Sequence, residues 1–501
     1  MNELNSQLPW VVFAAPAGAG VLIYLFGRRS SILRGTLAMI GAIVSLAIGI
    51  LMSLQTYRGA VLTTWGNELR VDALSAFMTV VIAGIGLVAT GYSLKYMKLQ
   101  ALLERVGMEA TERRLGWFYA LFMIFIGTML WGVVTNNIIM LYVSVEATTI
   151  ASGLLVAFYW DKRGLEASYK YLMLLTVGIT FALFGCVLLY SASSVHLVGV
   201  NALLISNIKG VAGLFPRSIA IMAMAFLIVG FGTKAGIAPF HPWLPDAHAE
   251  APTPVSALLS GVMLKMAAYA LARTVTMFYP SFSPVTVFLV ALGAFTMLLG
   301  IAMALVQDDL KRLLAYSSVS QMGYVIMGIG FGTYLGLYGA LFHIINHAIC
   351  KALLFMCVGA VIYASGSRQI SQLGGLSRRM PITSACFFIG VLGISGMPPM
   401  NGFMSKITIF IAGAQAGYWW ATIIAMFTGI LTLVALSHAA WAVFWGHPTS
   451  NHKTDDAKEV PVAIWAGMVV LAALTILLGI YPQSIYPLLN AATNALGPLT
   501  H

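Results

Sequence analysis

The sequence predicts an all-α polytopic membrane protein, and two observations carry this prediction. Hydrophobic residues make up 60% of the 501 residues, whereas charged residues make up only 9%. Because soluble proteins carry about a quarter charged residues, this composition excludes a water-soluble globular enzyme. The apolar residues also form runs that reach the roughly 20 residues required by a bilayer-spanning helix. We therefore expect residues 1–501 to form a single membrane domain.

Apolar run length, charge and Gly/Pro clusters predict about 14 transmembrane helices. The first run, Pro9 to Phe26, follows a start without basic residues and lacks a small-residue cleavage site, so we expect a retained helix rather than a signal peptide. The predicted spans cover residues 9–26, 33–55, 73–94, 116–134, 137–159, 166–191, 218–238, 254–278, 284–305, 313–331, 334–364, 382–411, 419–445 and 461–481.

The basic residues predict the orientation, because cytoplasmic loops are enriched in Lys and Arg. With the amino terminus outside, most basic residues fall in inner loops, among them Arg34, Lys95 and Lys98, whereas few, such as Arg70, fall outside. An even number of spans then places both termini on the outer face. The net charge of +11 therefore reflects topology, and we expect the lipid bilayer rather than nucleic acid as the partner.

Motifs for redox or nucleotide chemistry are missing from the sequence. It contains no P-loop, no GxGxxG after a strand and no GxSxG elbow. Its cysteines stand in apolar runs without CxxC spacing, so they indicate buried thiols rather than disulfides or iron–sulfur ligands. These cysteines are Cys186, Cys350, Cys357 and Cys386. We expect no cofactor in this chain.

Charged residues nevertheless occur inside the predicted spans. They are Glu146, Lys234, Lys265, Lys351 and Lys406. An ionised side chain at the membrane centre costs about 2.5–3.5 kcal/mol, so five need a reason. Each lysine alone could extend to the interface, and an isolated glutamate could be protonated. Together they favour a polar row inside the bundle, with Glu146 ion-paired.

Two lysine-bearing spans, one in each half of the chain, are interrupted by Gly and Pro. Pro239 follows Lys234, and Pro398 and Pro399 precede Lys406. Because proline removes a backbone donor and clashes with the preceding turn, each helix should break there. A packing kink is the alternative. Paired broken helices indicate an inverted-repeat transporter with its ion path at the breaks.

The eleventh predicted span carries His343, His347 and Lys351 at four-residue steps, which places them on one helical face. Zinc binding is disfavoured because the sequence lacks the Glu of HExxH and a third ligand. Proton relay fits better, since imidazole titrates near neutrality. For Lys265, burial favours the neutral form and a carboxylate such as Glu146 favours the charged form, so it could switch between them.

Residues Gly232 to Gly261, GTKAGIAPFHPWLPDAHAEAPTPVSALLSG, closely resemble the signature of the antiporter-like subunits of respiratory complex I. The same family includes Mrp-type Na+/H+ antiporter subunits and subunits of group 4 membrane-bound [NiFe] hydrogenases and formate hydrogenlyases. The likeness extends from Arg70 to about Trp445.

The resemblance implies two inverted five-helix repeats with discontinuous helices 7 and 12. The repeats would be 116–278 (helices 4–8) and 284–445 (helices 9–13), after three N-terminal helices in 1–115 and before helix 14 and a tail in 461–501.

The resemblance also implies a role for each intramembrane residue. Glu146 would pair with Lys234, Lys265 would be the central lysine, and Lys406 would be the terminal ionisable group of the path. The remaining pathway positions would be His343, His347 and Lys351, with His241, His248 and His438 as possible members. A lone histidine such as His438 is equally consistent with a hydrogen-bonded structural residue.

These likenesses imply a proton-translocating membrane subunit of a redox-driven pump that performs no redox chemistry itself. The segments Phe118–Phe122 and Leu165–Leu172 most resemble the sequences of the hydrogenase branch. Partner membrane subunits and a peripheral arm would carry nickel–iron and iron–sulfur or flavin centres, in the inner membrane of a prokaryote. The transported ion would be the proton, with Na+ as a further possibility. The alternatives are an Mrp-like Na+/H+ antiporter subunit and a chain M/N-type subunit of NADH-quinone oxidoreductase, and a structural spacer is disfavoured.

Overall fold

The computed structural model describes residues 2–27, 30–103, 108–280, 282, 284–447 and 457–497, and it is a bundle of helices. The helices are α1 (Leu8–Phe26), α2 (Ser31–Thr56), α3 (Ala73–Leu103), α4 (Met108–Val134), α5 (Ile138–Val156), α6 (Lys162–Ser194), α7 (Ile205–Val211), α8 (Arg217–Ala235), α9 (Trp243–Glu250), α10 (Thr253–Leu258), α11 (Leu264–Val275), α12 (Pro284–Leu305), α13 (Leu310–Gly330), α14 (Tyr334–Ser365), α15 (Pro381–Ser395), α16 (Asn401–Gln415), α17 (Trp419–Phe444), α18 (Val462–Ile480) and α19 (Tyr486–Ala495). A π-helical turn, Leu259–Met263, joins α10 to α11. Short 3₁₀ turns lie at Ala212–Leu214, Thr276–Phe278, Ile370–Gln372, Leu376–Arg378 and Pro482–Ser484.

The predicted helical membrane fold is confirmed, although the count of 14 spans stays a prediction. Twelve helices of the described residues are long and apolar enough to cross a membrane. The predicted span 313–331 corresponds to α13, which is outside that set, and 382–411 is divided between α15 and α16. The proposed boundary at 115/116 falls inside α4, and residues 498–501 of the predicted tail lie outside the described residues.

A small three-stranded sheet accompanies the helices. Its strands are β1 (Asn2–Asn5), β2 (Ala60–Thr64) and β3 (Leu69–Val71). β1 pairs parallel with β2, with Leu4 opposite Leu62, and β2 pairs antiparallel with β3, with Leu62 opposite Val71. Strands of three to five residues leave too little alternation to identify from the sequence.

The most buried helices lie at the centre of the bundle. Nearly every residue from Thr253 to Phe278 is buried, and α13 and α14 are buried along most of their length. Peripheral helices instead expose large apolar side chains, such as Phe184 on α6 and Trp441 on α17. Lipid covers such surfaces in a membrane, whereas the central helices are shielded from it.

An ion pair ties the start of α3 to the end of α11. Arg273 Nη1 donates to Asp72 Oδ2 at 2.6 Å, and a second bond joins Nη2 to Oδ1. Asp72 Oδ1 also accepts from the backbone N–H of Ser75 at 3.0 Å, which caps α3. Burial works to raise the pKa of Asp72, but Arg273 outweighs it and holds that pKa below its usual value. The pair therefore keeps its charges at neutral pH.

Candidate functional site

A break after α8 positions Lys234. The helix ends at Ala235, and Gly236 follows in the left-handed conformation with φ of +71°. A residue with a side chain would be strained there. Trp243, the first residue of α9, donates from Nε1 to the Thr233 carbonyl oxygen at 2.9 Å. This bond pairs one of the last carbonyl groups of α8. Lys234, which is 1% exposed, therefore lies in the last turn of a half-helix.

A second break, between α15 and α16, positions Lys406. α15 ends at Ser395, and Gly396 is left-handed with φ of +83°. From α16, Lys406 Nζ reaches back to the Ser395 carbonyl oxygen at 3.2 Å. Both predicted discontinuities are present in the fold. Their geometry differs, because Lys234 precedes its left-handed glycine and Lys406 follows Gly396.

Both lysines lie where a helix dipole favours a cation. The C-terminal end of a helix carries partial negative charge on its unpaired carbonyl groups. Lys234 stands in the last turn of α8, and Lys406 contacts the last carbonyl of α15. The breaks therefore place carbonyl dipoles beside two buried amines.

A threonine hydroxyl bridges Glu146 and Lys234. Lys234 Nζ donates to Thr149 Oγ1 at 2.8 Å, and Thr149 Oγ1 donates to Glu146 Oε2 at 3.2 Å. The ion pairs of the described residues do not include a direct one between Glu146 and Lys234. The two charges thus act on each other across a hydroxyl group.

The other oxygen of Glu146 faces the outer surface of the bundle. Thr176 Oγ1 on α6 donates to Glu146 Oε1 at 3.1 Å, and Thr176 is exposed. Glu146 itself is half-buried, with the exposed apolar residues Val143 and Ile150 on the same helix. Lys234 Nζ lies behind it, 5.6 Å from the centre of the Tyr171 ring. Glu146 therefore lies between the protein surface and the buried lysine.

The second cluster contains Lys265 and Lys351 with the serines between them. Lys265 Nζ donates to the Ser260 carbonyl oxygen, which belongs to the π-helical turn. The Ser260 hydroxyl contacts the Ser318 hydroxyl of α13 at 2.8 Å. The adjacent Ser317 hydroxyl accepts a hydrogen bond from Lys351 Nζ. Two fully buried lysines thus lie on either side of the adjacent serines Ser317 and Ser318 of α13.

A single backbone carbonyl concentrates donors in this cluster. The Leu314 oxygen accepts from Lys351 Nζ at 2.9 Å, from Ser317 Oγ at 2.9 Å and from Ser318 Oγ at 2.8 Å. Both hydroxyl groups donate their proton to this oxygen, which leaves their lone pairs free to accept from other neighbours. Ser317 therefore accepts from Lys351 Nζ, whereas Ser318 accepts from the Ser260 hydroxyl.

The third cluster joins the α14 histidines to Lys406. The rings of His343 and His347 are parallel within 3°, with centroids 6.0 Å apart, as expected for one helical face. His343 Nδ1 contacts the Ser405 hydroxyl at 3.1 Å, and Ser405 immediately precedes Lys406. Lys406 Nζ lies 4.7 Å from the centre of the Tyr324 ring. The ammonium group therefore receives cation–π stabilisation as well as the carbonyl contact.

Several buried nitrogen atoms of these histidines have no hydrogen-bond partner among the described protein atoms. They are both ring nitrogens of His248 and His347, Nε2 of His343 and Nδ1 of His241. Buried polar groups in folded proteins are paired with protein or with ordered water. Ordered water is the partner that buried nitrogens of this kind usually find.

The three histidines predicted as possible pathway members lie in different surroundings from one another. His248 is fully buried and stacks on Phe355 with centroids 4.7 Å apart, whereas His241 is half-buried near Tyr316. His438 is exposed on α17, and no contact of the described residues joins it to the row. The structure therefore brings His248 to the central helices and leaves His438 at the periphery.

Sequence reasoning missed several polar residues of the central helices. Lys311, which precedes the predicted span 313–331, is 5% exposed, and its Nζ donates to the Ala251 carbonyl at 2.7 Å. Ser317 and Tyr324 contact the buried Lys351 and Lys406, although serine and tyrosine in an apolar span carry no distinctive signal. The low apolarity of α13 was the available clue.

Metal and disulfide chemistry receive no support from the part of the chain that the structure describes. Within it, no three His, Cys, Asp or Glu side chains group in a way that could hold a metal ion. The four cysteines are buried and free. The fold and the three clusters define a polytopic helical membrane protein with a row of ionisable groups in its interior. This row comprises Glu146, Lys234, Lys265, Lys351, His343, His347 and Lys406.

The chain belongs to a family of membrane subunits. Residues 135–432 match the family described as NADH:quinone oxidoreductase/Mrp antiporter, TM. Residues 65–105 match a second description, NADH-Ubiquinone oxidoreductase (complex I), chain 5 N-terminus. The family inferred from the signature at Gly232–Gly261 is thereby confirmed.

Individual relatives come from different branches. The chain is 32% identical over 435 residues to NADH-quinone oxidoreductase subunit N of Desulforudis audaxviator (strain MP104C), covering 84% of this chain and 83% of that one. It is 33% identical over 449 residues to hydrogenase-4 component B of Escherichia coli (strain K12), covering 84% of this chain but only 63% of that protein. In the structure of the Mrp complex from Dietzia sp. DQ12-45-1b, a chain matches with a TM-score of 0.87 at 22% identity, covering 98% of both chains. The likeness to the Mrp structure, at 22% identity, concerns the fold alone. The two relatives at 32% and 33% identity belong to different branches of the family, so they leave the branch of this chain open.

The contact between Gly396 and Lys406 yields a testable prediction. A Cβ at residue 396 would lie 2.8 Å from Lys406 Cδ, whereas Gly59, with φ of +86°, has no described atom within 4 Å of its Cβ position. Gly396→Ala and Gly59→Ala should each cost about 1 kcal/mol for the left-handed backbone. Gly396→Ala should cost more, because it also displaces Lys406. Thermal unfolding of the purified chain measures both, and equal losses would contradict this packing.

Proposed function

We propose that this chain translocates protons across the membrane as a subunit of a complex I-related, redox-driven ion pump. The observation that carries the proposal is the succession of three buried clusters, from Glu146 and Lys234 through Lys265 and Lys351 to the histidines and Lys406. Family membership supports ion transport as the task of such a row. The chain supplies the ion path, and redox chemistry belongs to partner subunits.

Water completes the path between the clusters. His343 and His347, which carry unpartnered nitrogens, lie on α14 with Lys351 of the second cluster, and His343 contacts Ser405 beside Lys406 on α16. Water at these nitrogens would link the second cluster to Lys406. Protons would enter near Lys234 and Lys265, pass the histidines and leave by Lys406. Because the groups interact, the row titrates as an array.

Glu146 would control the first lysine through Thr149. The carboxylate favours the charged form of Lys234, and movement of charge in an adjacent subunit would alter that preference. The half-buried position of Glu146 near the surface makes it accessible to such a neighbour. A hydroxyl bridge transmits the effect and can pass a proton, because it donates to one partner and accepts from the other.

The nature of the ion is inferred from the available ligands. Sodium prefers oxygen ligands, and Glu146 is the one carboxylate among the clusters described above. Amines and imidazoles dominate the remainder of the row, and these groups carry protons. We therefore propose protons as the transported ion in this chain, with Na+ movement possible elsewhere in the assembly.

We place the chain in a prokaryotic inner membrane with both termini on the outer face. The enrichment of Lys and Arg in alternate loops supports this orientation. The row alone does not distinguish the hydrogenase or formate hydrogenlyase type from an Mrp-like Na+/H+ antiporter, whose fold this chain also shares. The likeness of Phe118–Phe122 and Leu165–Leu172 to the hydrogenase branch supports the first.

The composition of the purified complex tests this branch. For the hydrogenase or formate hydrogenlyase type, the chain should copurify with subunits that contain nickel and iron–sulfur clusters. Mass spectrometry of the subunits and metal analysis of the complex provide the measurement. Companions that are all small membrane proteins without redox centres would instead select the antiporter.

Substitutions in the first cluster test proton transport. Glu146→Gln removes the charge beside Lys234, and Thr149→Val removes the hydroxyl bridge at similar volume. Each should lower coupled proton uptake by about tenfold, because a hydrogen bond to a charged group contributes about 1.5–3 kcal/mol. The measurement is proton uptake into vesicles that contain the assembled complex, driven by its own substrates.

Matched variants separate transport from folding. The Thr148 hydroxyl is equally buried but donates to the Val145 carbonyl oxygen, so Thr148→Val should leave proton uptake near wild type. Thr149→Ser keeps the hydroxyl and should retain most uptake. Unchanged uptake in both Glu146→Gln and Thr149→Val, in complexes that assemble normally, would refute the proposed role of this cluster.

A further inference from the structure

A groove with apolar walls and a cationic end lies between α2, α3 and α4, away from the row. Its volume is about 500 Å³. Met39 and Ile40 of α2 and Leu94 of α3 form apolar walls, while Arg34 and Lys98 line one end. The groove therefore combines a surface for hydrocarbon with a site for an anion.

Most described charged side chains near Arg34 and Lys98, at one end of α2, α3 and α4, are positive. The described basic side chains are Arg34, Lys95, Lys98, Arg113 and Arg114. Glu112 is the acidic residue of the same described segment of α4, and its Oε2 lies 2.9 Å from Arg34 Nη1. Lys98 has no carboxylate partner among the ion pairs of the described residues. Within the described residues, Lys98 is therefore an unpaired ammonium group at the open end of the groove.

Arg34 is a built part of this site rather than a mobile surface residue. It is only 3% exposed, and its guanidinium lies 5.7 Å from the centre of the Tyr119 ring. Nη1 also donates to the Glu112 carbonyl oxygen at 3.3 Å. Both contacts to Glu112 use this one nitrogen, and the planar guanidinium has further N–H donors that can recognise a phosphate group.

The location of the groove indicates the kind of anion. The loops at this end of α2, α3 and α4 are the basic loops predicted to face the cytoplasm. Anionic phospholipids concentrate in the cytoplasmic leaflet and bind basic pockets between transmembrane helices. An acyl chain is the hydrocarbon available beside an apolar groove in a bilayer.

We propose that this groove binds one anionic phospholipid. Its phosphate group contacts Lys98 and Arg34, and one acyl chain lies along Met39, Ile40 and Leu94. A transmembrane helix of a neighbouring subunit would cover the apolar wall but would leave the ammonium group of Lys98 without an anion. A phospholipid satisfies both halves of the groove, because its phosphate group meets the cationic end and its acyl chain meets the apolar walls.

Native mass spectrometry of the purified full chain tests the proposal with two probe lipids. Phosphatidylglycerol and phosphatidylcholine with identical acyl chains are added to the delipidated protein in detergent. The wild-type chain should retain one phosphatidylglycerol molecule in preference to phosphatidylcholine. Lys98→Gln should lower phosphatidylglycerol retention by about fivefold, the factor expected for one lysine near an anionic lipid, and should leave phosphatidylcholine unchanged.

Two further variants separate a specific site from general attraction. Lys95→Gln removes an exposed charge on the same helix outside the groove and should leave phosphatidylglycerol retention unchanged. Ile40 is 51% exposed, and Ile40→Trp should fill the groove and lower retention of both lipids. Equal retention of the two lipids by the wild-type chain would overturn the proposal. Equal losses from Lys95→Gln and Lys98→Gln, or a neighbouring helix seated in the groove of the assembled complex, would also overturn it.

Discussion

The structure depends on the cost of burying amines in a membrane protein. Lys234, Lys265, Lys351 and Lys406 are each at most 3% exposed. Transfer of an ammonium group out of water costs several kcal/mol even after relaxation. The hydrogen-bond acceptors of these four groups are hydroxyl and carbonyl oxygens, with Glu146 held one hydroxyl away from Lys234. Neutral oxygens stabilise the charge less firmly than a carboxylate in direct contact, and the proposed proton transfer relies on this difference.

Irregular features of the fold supply two of those oxygens, whereas Lys351 contacts Leu314 within α13 and Lys234 contacts the Thr149 hydroxyl. A regular helix uses its carbonyl groups internally, so a buried amine finds acceptors where the helix is interrupted or widened. The break at Gly396 frees the carbonyl that holds Lys406, and the π-helical turn contains the carbonyl that holds Lys265. Central helices accept these defects because other helices shield them from lipid, whereas regular apolar helices such as α17 face the bilayer.

The sequence predicted those parts of the site that follow from local rules. Gly and Pro marked both helix breaks, and four-residue spacing placed His343 and His347 on one face, since each depends on residues close in the chain. The bridge formed by Thr149 depends on the distance between α5 and α8, which no single segment encodes. The contacts of α13 likewise follow from its neighbours, because Ser317 meets Lys351 of α14 and Ser318 meets Ser260 of the π-helical turn.

A structure of the assembled complex in a lipid environment, at a resolution that shows individual water molecules, tests the central claim most directly. The account predicts ordered water within hydrogen-bond distance of both ring nitrogens of His347 and of His343 Nε2, continuing toward Lys265 and Lys406. Apolar side chains packed against these nitrogens, with no water between the lysines, would contradict a proton path through this chain.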